Sequence, residues 1–374
     1  MRRCPAIVDF ARLAALVALV TLSGCMSSYE VNEPSTDRLE CLERAEKTPI
    51  LWLSPVGDGE NRSLETWCRN NGPPVVKPNP AGDFSAANSD SIDILVWNVE
   101  VGDGWVTEFL DQNTEIDCDG SNSTMGGNGL HFVFLTQESL RRSDDIPEDV
   151  TKGGLLPRVG GNAHPGAILD IIQVADRCGL SLFYLPGSRN GAEKFAGLYE
   201  DKGNAILSTL PLSDFAGIEL PFESVRRIVP VATVTTPGGR QVRVASVHVI
   251  TTPPPWRVIM TGNTARERQS LGLINGLEKI ESVYGEISTV AAGDLNTFSN
   301  RETSLRKLRR YFSASPPPFG KPTRGPVQAD HILFRQRAFF ESMADHIVPG
   351  SYERVDELYY SDHYPVRARL RFGN

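Results

Sequence analysis

From residue 92 onward the chain is punctuated by short apolar runs rich in β-branched and aromatic residues. These are IDILVWNV (92–99), HFVFLTQE (131–138), LSLFYLP (180–186), NAILST (204–209), RIVPVATVTT (227–236), RQVRVASVHVIT (240–251), STVAAGDLN (288–296), QADHILF (328–334) and VRARLRF (366–372). Runs of this length, bounded by Gly, Pro and polar clusters, predict strands, most of them buried. PGG (237–239) between two of them predicts a hairpin turn. The last run alternates arginine with apolar residues, as an outer strand would. Three stretches carry helical spacing instead: 105–112, 165–179, with Pro165 at its start and Gly179 at its stop, and the long amphipathic 264–284. Strands outnumber helices and helices fall between strands, which predicts an α/β layered fold with at least one mixed sheet. No GxGxxG follows the first strand, so a dinucleotide site has no support.

The pattern before residue 91 is different. Arg2, Arg3 and Arg12 flank the start of an apolar run, LAALVALVTL (13–22), that is short for a membrane span. The run leads into LSGC (22–25), and the whole reads as a secretory signal. LSGC resembles a bacterial lipobox, which implies cleavage after Gly24 and lipidation of Cys25. Acyl chains on that residue would hold the protein at a membrane, and Met26 after it points to the outer membrane of a bacterial envelope. Residues 25–90 form an N-terminal extension and linker, with a Pro/Gly-rich connector at 70–84. That extension is either an elaboration on the main domain or a tether. The main domain spans 91–374.

Charge and cysteine content sharpen this. The formal net charge is −8, and loss of residues 1–24 removes three arginines and one aspartate, leaving −10. Broad electrostatic capture of nucleic acid is disfavoured, although a local basic cleft is compatible with it. With Cys4 lost and Cys25 lipidated, Cys41, Cys68, Cys118 and Cys178 remain, an even number for an oxidising compartment. Of the three pairings, Cys41–Cys68 with Cys118–Cys178 is favoured, and no CxxC suggests zinc or redox chemistry.

Five predicted strand ends carry a short polar group where the apolar run stops. They are Asn98, Glu138, His248, Asp294 with Asn296, and Asp362 with His363; Asp330 lies one residue inside another run. One such end is unremarkable, since Asp and Asn favour turns. Five on one sheet edge would build a cleft, where ligands bind. Glu138 offers the hard carboxylate oxygen that suits Mg²⁺. Asp294 and Asn296 face the same way in extended chain, so a carboxylate able to deprotonate water stands beside an amide able to donate.

WNV, QE, GNAILST, VHV, RERQ, GDLN, ADHILF and SDHYPV occur in an order that resembles the endonuclease/exonuclease/phosphatase superfamily, whose members include deoxyribonucleases, abasic-site endonucleases, sphingomyelinases and inositol polyphosphate phosphatases. The resemblance covers roughly 91–372 and implies a four-layer sandwich, two packed mixed sheets flanked by helices. It implies metal ligation by Glu138, assisted by Asn98 and Asp362, with Mg²⁺ as the ion and Mn²⁺ or Ca²⁺ as alternatives. It implies catalysis by Asp294, Asn296, His248 and His363, the last oriented by Asp330, and substrate contacts from Asn204 and Arg227. Arg226 and Arg227 read equally as phosphate contacts or as surface ion pairs. The expected partner is a phosphate ester: nucleic acid, phospholipid or a small phosphodiester. The chain is expected to be a monomer held to the membrane through Cys25.

His331 reads as structural, and His131, His164 and His346 as surface or packing residues. DDIPED (144–149) reads as a solvated loop rather than a calcium site. TTPPPWR (251–257) departs from the nuclease pattern and reads as a contact for a base, a lipid or a hydrophobic substrate, or as a rigid surface loop. The rival class is a non-catalytic envelope binding lipoprotein on the same scaffold, which lost carboxylates would favour. All of them are present.

Overall fold

The computed structural model describes residues 29–32, 48–78, 91–114, 116–118, 131–150, 155–160, 169–251, 263–317, 320–337 and 346–373. Cys25, Cys41, His164, Pro165 and the TTPPPWR stretch after Thr251 lie outside them.

Two mixed sheets pack face to face. The first runs β1 (Tyr29–Asn32), β2 (Leu51–Pro55), β9 (Leu212–Glu219), β10 (Ile228–Thr235), β11 (Gln241–His248), β12 (Thr289–Asp294), β13 (Asp330–Arg335). The second runs β14 (Ile347–Arg354), β15 (Val366–Phe372), β4 (Ser91–Asn98), β5 (Phe132–Ser143), β8 (Tyr199–Ser208), β7 (Ser181–Asn190), β3 (Val75–Lys77), with β6 (Leu155–Leu156) on β7. Strand β4 shows how the apolar runs are used. Ile92, Ile94 and Val96 enter the core between the sheets, whereas Leu95 and Trp97 face outward under a helix layer. A run apolar on both faces is what a strand inside a layered fold requires.

Helices α2 (Val106–Asn113) and α3 (Ile171–Arg177) cover the outside of the second sheet, Phe109, Leu110 and Val174 packing on Trp97 and Phe134. Helices α4 (Asn263–Tyr284) and α5 (Thr303–Tyr311) cover the first, with Leu273, Leu277, Leu305 and Leu308 on Val231 and Ala291. The four-layer α/β sandwich is therefore present. No helix among the described residues is long and apolar enough to cross a membrane.

Several local expectations need correction. Helix α3 starts late: Asp170 is its N-cap, accepting from the backbone of Ile172 and Gln173, while Gln173 Oε1 accepts from the Asp170 backbone N–H. That capping box fixes the start more firmly than a proline upstream. The final strand is not an outer one, because β15 lies between β14 and β4. Its arginines stay half-wet on one face, and the alternation reports that face rather than an edge position. Strand β5 does not stop at Glu138 but runs on to Ser143 past an irregularity between Thr136 and Ser139. Part of the extension is built into the sandwich: β2 pairs with β9, β3 with β7, and Trp52 lies in the central core. Helix α1 (Asp58–Asn70) and the turn after it are anchored by Gly72 N–H donating to Asp201 Oδ2 at 3.0 Å and by Arg141 donating to Pro73 O. Cys118 is bonded to Cys178, and Cys68 is also disulfide-bonded.

Candidate active site

Strand register assembles the site. Parallel pairing sets His248 beside Asp294, and antiparallel pairing sets Asp294 beside Asp330, so three strands of the first sheet deliver three functional groups in one row. In the second sheet Asn98 ends β4 beside Gln137 of β5. The sheets meet where Asn98 Nδ2 donates to Asp294 Oδ2 at 3.1 Å. Within each sheet a glycine of the motifs lets neighbouring strands close up beside the site. A Cβ at Gly293 would stand 1.9 Å from Val247 O, and one at Gly203 would stand 2.0 Å from Leu185 O. Those positions accept only glycine because a neighbouring strand fills the space.

Asp294 is the hub. It is fully buried, and its carboxylate accepts from the Asn296 backbone at 2.8 Å, Asn296 Nδ2 at 3.2 Å and Asn98. His248 Nε2 and His363 Nε2 each stand 3.6 Å from Asp294 Oδ2. Burial raises the Asp294 carboxyl to about 6 against the pull of His363. Asn296 has a left-handed backbone, φ 49, and its amide also donates to Val249 O at 3.1 Å. The tight turn that brings its amide back to Asp294 is one that Asn tolerates.

His363 Nδ1 lies 2.8 Å from Asp330 Oδ2, the orienting pair expected from sequence. Its Nε2 is buried with no hydrogen-bond partner. Burial opposes the imidazolium but is outweighed by Asp330, Asp294 and Asp362, which lift the ring to about 9. His248 behaves oppositely: burial and then Arg227 hold it well below the ordinary range. Arg227 Nη1 lies 3.0 Å from His248 Nδ1. A guanidinium can only donate, so Nδ1 is the acceptor and the ring proton sits on Nε2, toward Asp294 and Glu138.

Glu138 occupies the irregular point of β5 with φ 54, a left-handed conformation rare for this residue type. The bulge re-aims its side chain into the site. Its oxygens stand 3.8 Å from His248 Nε2 and 4.0 Å from Lys202 Nζ, beyond hydrogen-bond reach. A half-buried carboxylate with uncommitted oxygens fits a hard divalent cation. The clustered atoms of Asp294, Asp330 and His363, within 4.8 Å of one another, are a second group that could hold an ion. Both Asp294 oxygens, Asp330 Oδ2 and His363 Nδ1 are already hydrogen-bonded, leaving Asp330 Oδ1 and His363 Nε2 as the open atoms of that group, whereas both Glu138 oxygens are uncommitted and half-exposed, so the Glu138 side fits better.

Asp362 has one oxygen 2.7 Å from Arg324 Nη2 and the other 3.7 Å from His363 Nε2, and its backbone N–H donates to Glu100 at 2.8 Å. Asn204 lines the cleft with Glu138, Lys202, Arg227 and His248, and its amide donates to Ile228 O at 2.8 Å, tying two strands together. Both arginines line the cleft, but Arg226 is engaged in a buried ion pair with Glu219, whereas Arg227 turns its Nη1 to His248. His331 is buried and structural, its Nε2 2.8 Å from Thr297 Oγ1.

Sequence reasoning missed Lys202, Glu100 and Arg324. Lys202 lies two residues before Asn204 and Glu100 two after Asn98, so period-two spacing could have flagged both. Arg324 sits in an irregular loop and carried no signal. RERQ proves to be a tether, Gln269 bridging Ile250 N and Pro221 O at 2.7 and 3.1 Å.

Residues 95–363 match the model of the endonuclease/exonuclease/phosphatase family. Among solved structures, an endonuclease/exonuclease/phosphatase from Bacteroides vulgatus is similar at 13% identity, with a TM-score of 0.45, covering 75% of this chain and 99% of its own. One from Beutenbergia cavernae is similar at 15% identity, TM-score 0.44, covering 76% and 72%. TDP2 from Caenorhabditis elegans is similar at 11% identity, TM-score 0.44, covering 75% and 74%. A comparison with curated proteins found no match.

Proposed function

Because the chain belongs to the endonuclease/exonuclease/phosphatase family, we propose that it is a divalent-metal-dependent phosphoesterase that cleaves phosphodiester or phosphomonoester bonds by in-line attack of water. The observation that carries this reading is the convergence of Asp294, His248 and the His363–Asp330 pair on one point between the sheets, with Glu138 beside it.

Each group has a task that its surroundings support. Asp294, raised to about 6, is ionised at neutral pH yet basic enough to take a proton from water. Asn98 and Asn296 hold its carboxylate in place. His363, kept charged by Asp330, directs Nε2–H at the phosphoryl oxygens or the leaving oxygen. His248 donates from Nε2 while neutral, so it holds the phosphoryl group without adding charge. Arg227 and Lys202 supply positive potential at the cleft. Glu138 and the Asn98 carbonyl, with Asp362 at the rim, would hold Mg²⁺, or Mn²⁺ or Ca²⁺ in its place. A bound ion there supplies charge neutralisation to a phosphate oxygen.

The setting proposed for this chemistry is the bacterial envelope, with the protein lipid-anchored at Cys25 after cleavage of 1–24. Purified protein is expected to release p-nitrophenolate from bis(p-nitrophenyl) phosphate with Mg²⁺ and to stop in EDTA. The absence of metal-dependent turnover on that ester and on nucleic acids, phospholipids and phosphomonoesters would refute the hydrolase. Expression with labelled palmitate tests the anchor: label should enter the chain and vanish in Cys25→Ser.

A further inference from the structure

Next to the catalytic end lies an aromatic surface that the chemistry above does not use. Tyr360 is 53% exposed, the ring stacked on Trp105 with centroids 4.0 Å apart and planes 26° from parallel. Its backbone is held in a strained form, since Tyr359 and Tyr360 have φ of 45 and 67 in succession. Left-handed backbone at bulky non-glycine residues is costly and persists only where the surroundings impose it. Here they do: Trp105 N–H donates to Tyr359 O at 2.8 Å, and the buried Tyr359 ring packs edge-on against Trp97 and Phe109. Packing thus accounts for Tyr359 but leaves Tyr360 turned outward on the same rigid support.

That support is continuous with the active site. Tyr360 precedes Ser361, whose hydroxyl donates to Asn98 O at 2.7 Å, then Asp362 and His363. Arg324, ion-paired to Asp362 and 41% exposed at its side chain, adds a cation at the same rim. A fixed flat ring face, a neighbouring guanidinium and the phosphate-binding groups form a short series. We propose that Tyr360, backed by Trp105, is a stacking subsite for a nucleobase attached to the scissile phosphate, which makes the substrate a nucleotide-bearing phosphodiester. This inference rests on the hydrolase reading and narrows its substrate class. A flat face suits a planar π-system, and base–aromatic stacking is indifferent to sequence. A lipid surface would instead call for several apolar side chains side by side. The exposed large apolar residues among those described sit on separate elements: Val56, Val159, Phe195, Val283, Phe298 and Val348.

The test compares thymidylyl-thymidine with its analogue lacking both bases. In the wild type, kcat/KM for the base-bearing compound should exceed that of the base-free one on the order of 10-fold. Tyr360→Ala and Tyr360→Leu should bring the ratio close to one, and Tyr360→Phe should keep it. Calorimetric binding of the same two compounds in EDTA should show the same ratios without turnover. Equal ratios in wild type and both non-aromatic variants would overturn the subsite and leave the hydrolase standing. Absence of turnover in the wild type would overturn the hydrolase, while the binding ratios would still decide the subsite. A larger loss in Tyr360→Ala on phosphatidylcholine vesicles than on the dinucleotide would also overturn it, in favour of a lipid contact.

Discussion

Gly293 offers a direct test of how the site is built. It lies in β12 one residue before Asp294, with φ 150, paired to Val247 of β11. Adding a single methyl group there would place a Cβ 1.9 Å from Val247 O and 2.8 Å from Val247 C. Both are backbone atoms in the middle of a sheet, so no rotamer change relieves the contact. Ordinary van der Waals separation for such a pair is above ~3 Å, and the two strands must part by roughly 1 Å. The ladder bonds that set His248 beside Asp294 would be the ones disturbed. We expect Gly293→Ala to cost at least ~4 kcal/mol, a large share of the ~5–15 kcal/mol typical of a folded domain. A displacement of that size in a reacting group lowers turnover on the order of 100-fold. Urea unfolding gives the first quantity and bis(p-nitrophenyl) phosphate turnover the second. Gly179→Ala serves as the comparison, because Gly179 also has positive φ, 63, but nothing within 4 Å of its Cβ position. That variant should lose only about 1 kcal/mol, from backbone conformation alone. If Gly293→Ala unfolds and turns over like Gly179→Ala, the close approach of β11 and β12 is not what shapes the site.

Three further outcomes are expected. Asp294→Asn and His363→Ala should each lower turnover at least ~100-fold while circular dichroism still shows a folded chain, His363→Ala also losing stability because it strands the buried Asp330; near-normal activity in both would remove them from the chemistry. His331 is buried and held down to about 4 by burial, so its neutral form stabilises the fold fully above ~6.5, and this is lost as pH falls toward 4 while the unfolded chain takes up the proton. The size is about 3 kcal/mol, and urea midpoints of wild type should therefore fall more steeply over that window than those of His331→Gln; parallel curves would refute it. Arg226→Met should cost about 3–5 kcal/mol because it strands Glu219 without its partner in the interior, whereas Arg226→Met with Glu219→Leu should recover much of the loss. A double variant no more stable than the single one would refute the pairing argument.

Much of the fold and most of the site could be read from the chain itself. Apolar runs such as 92–99 and 288–296 predicted their strands because burial on both faces demands near-continuous hydrophobicity, and that demand is local. Polar residues at the ends of those runs marked the site because a strand end is where a side chain leaves the core. Strands β1, β2, β3, β6, β9 and β14 were not anticipated, since they are short or half-wet, and the partners of β2 and β3 lie far away in sequence. Arg324 was invisible for a related reason: an irregular loop has no periodicity to interrupt.

The sequence alone determined which chemical groups were available and which segments could form strands and helices, because composition and periodicity act over a few residues. Only the tertiary structure decided their electrostatic roles. Asp294 and Asp330 are both fully buried aspartates, and His248 and His363 are both fully buried imidazoles. Yet one ring is driven neutral against Arg227 and the other held charged against Asp330. Charge state depends on burial and on partners brought from other strands, and these distances exist only after the two sheets close on each other.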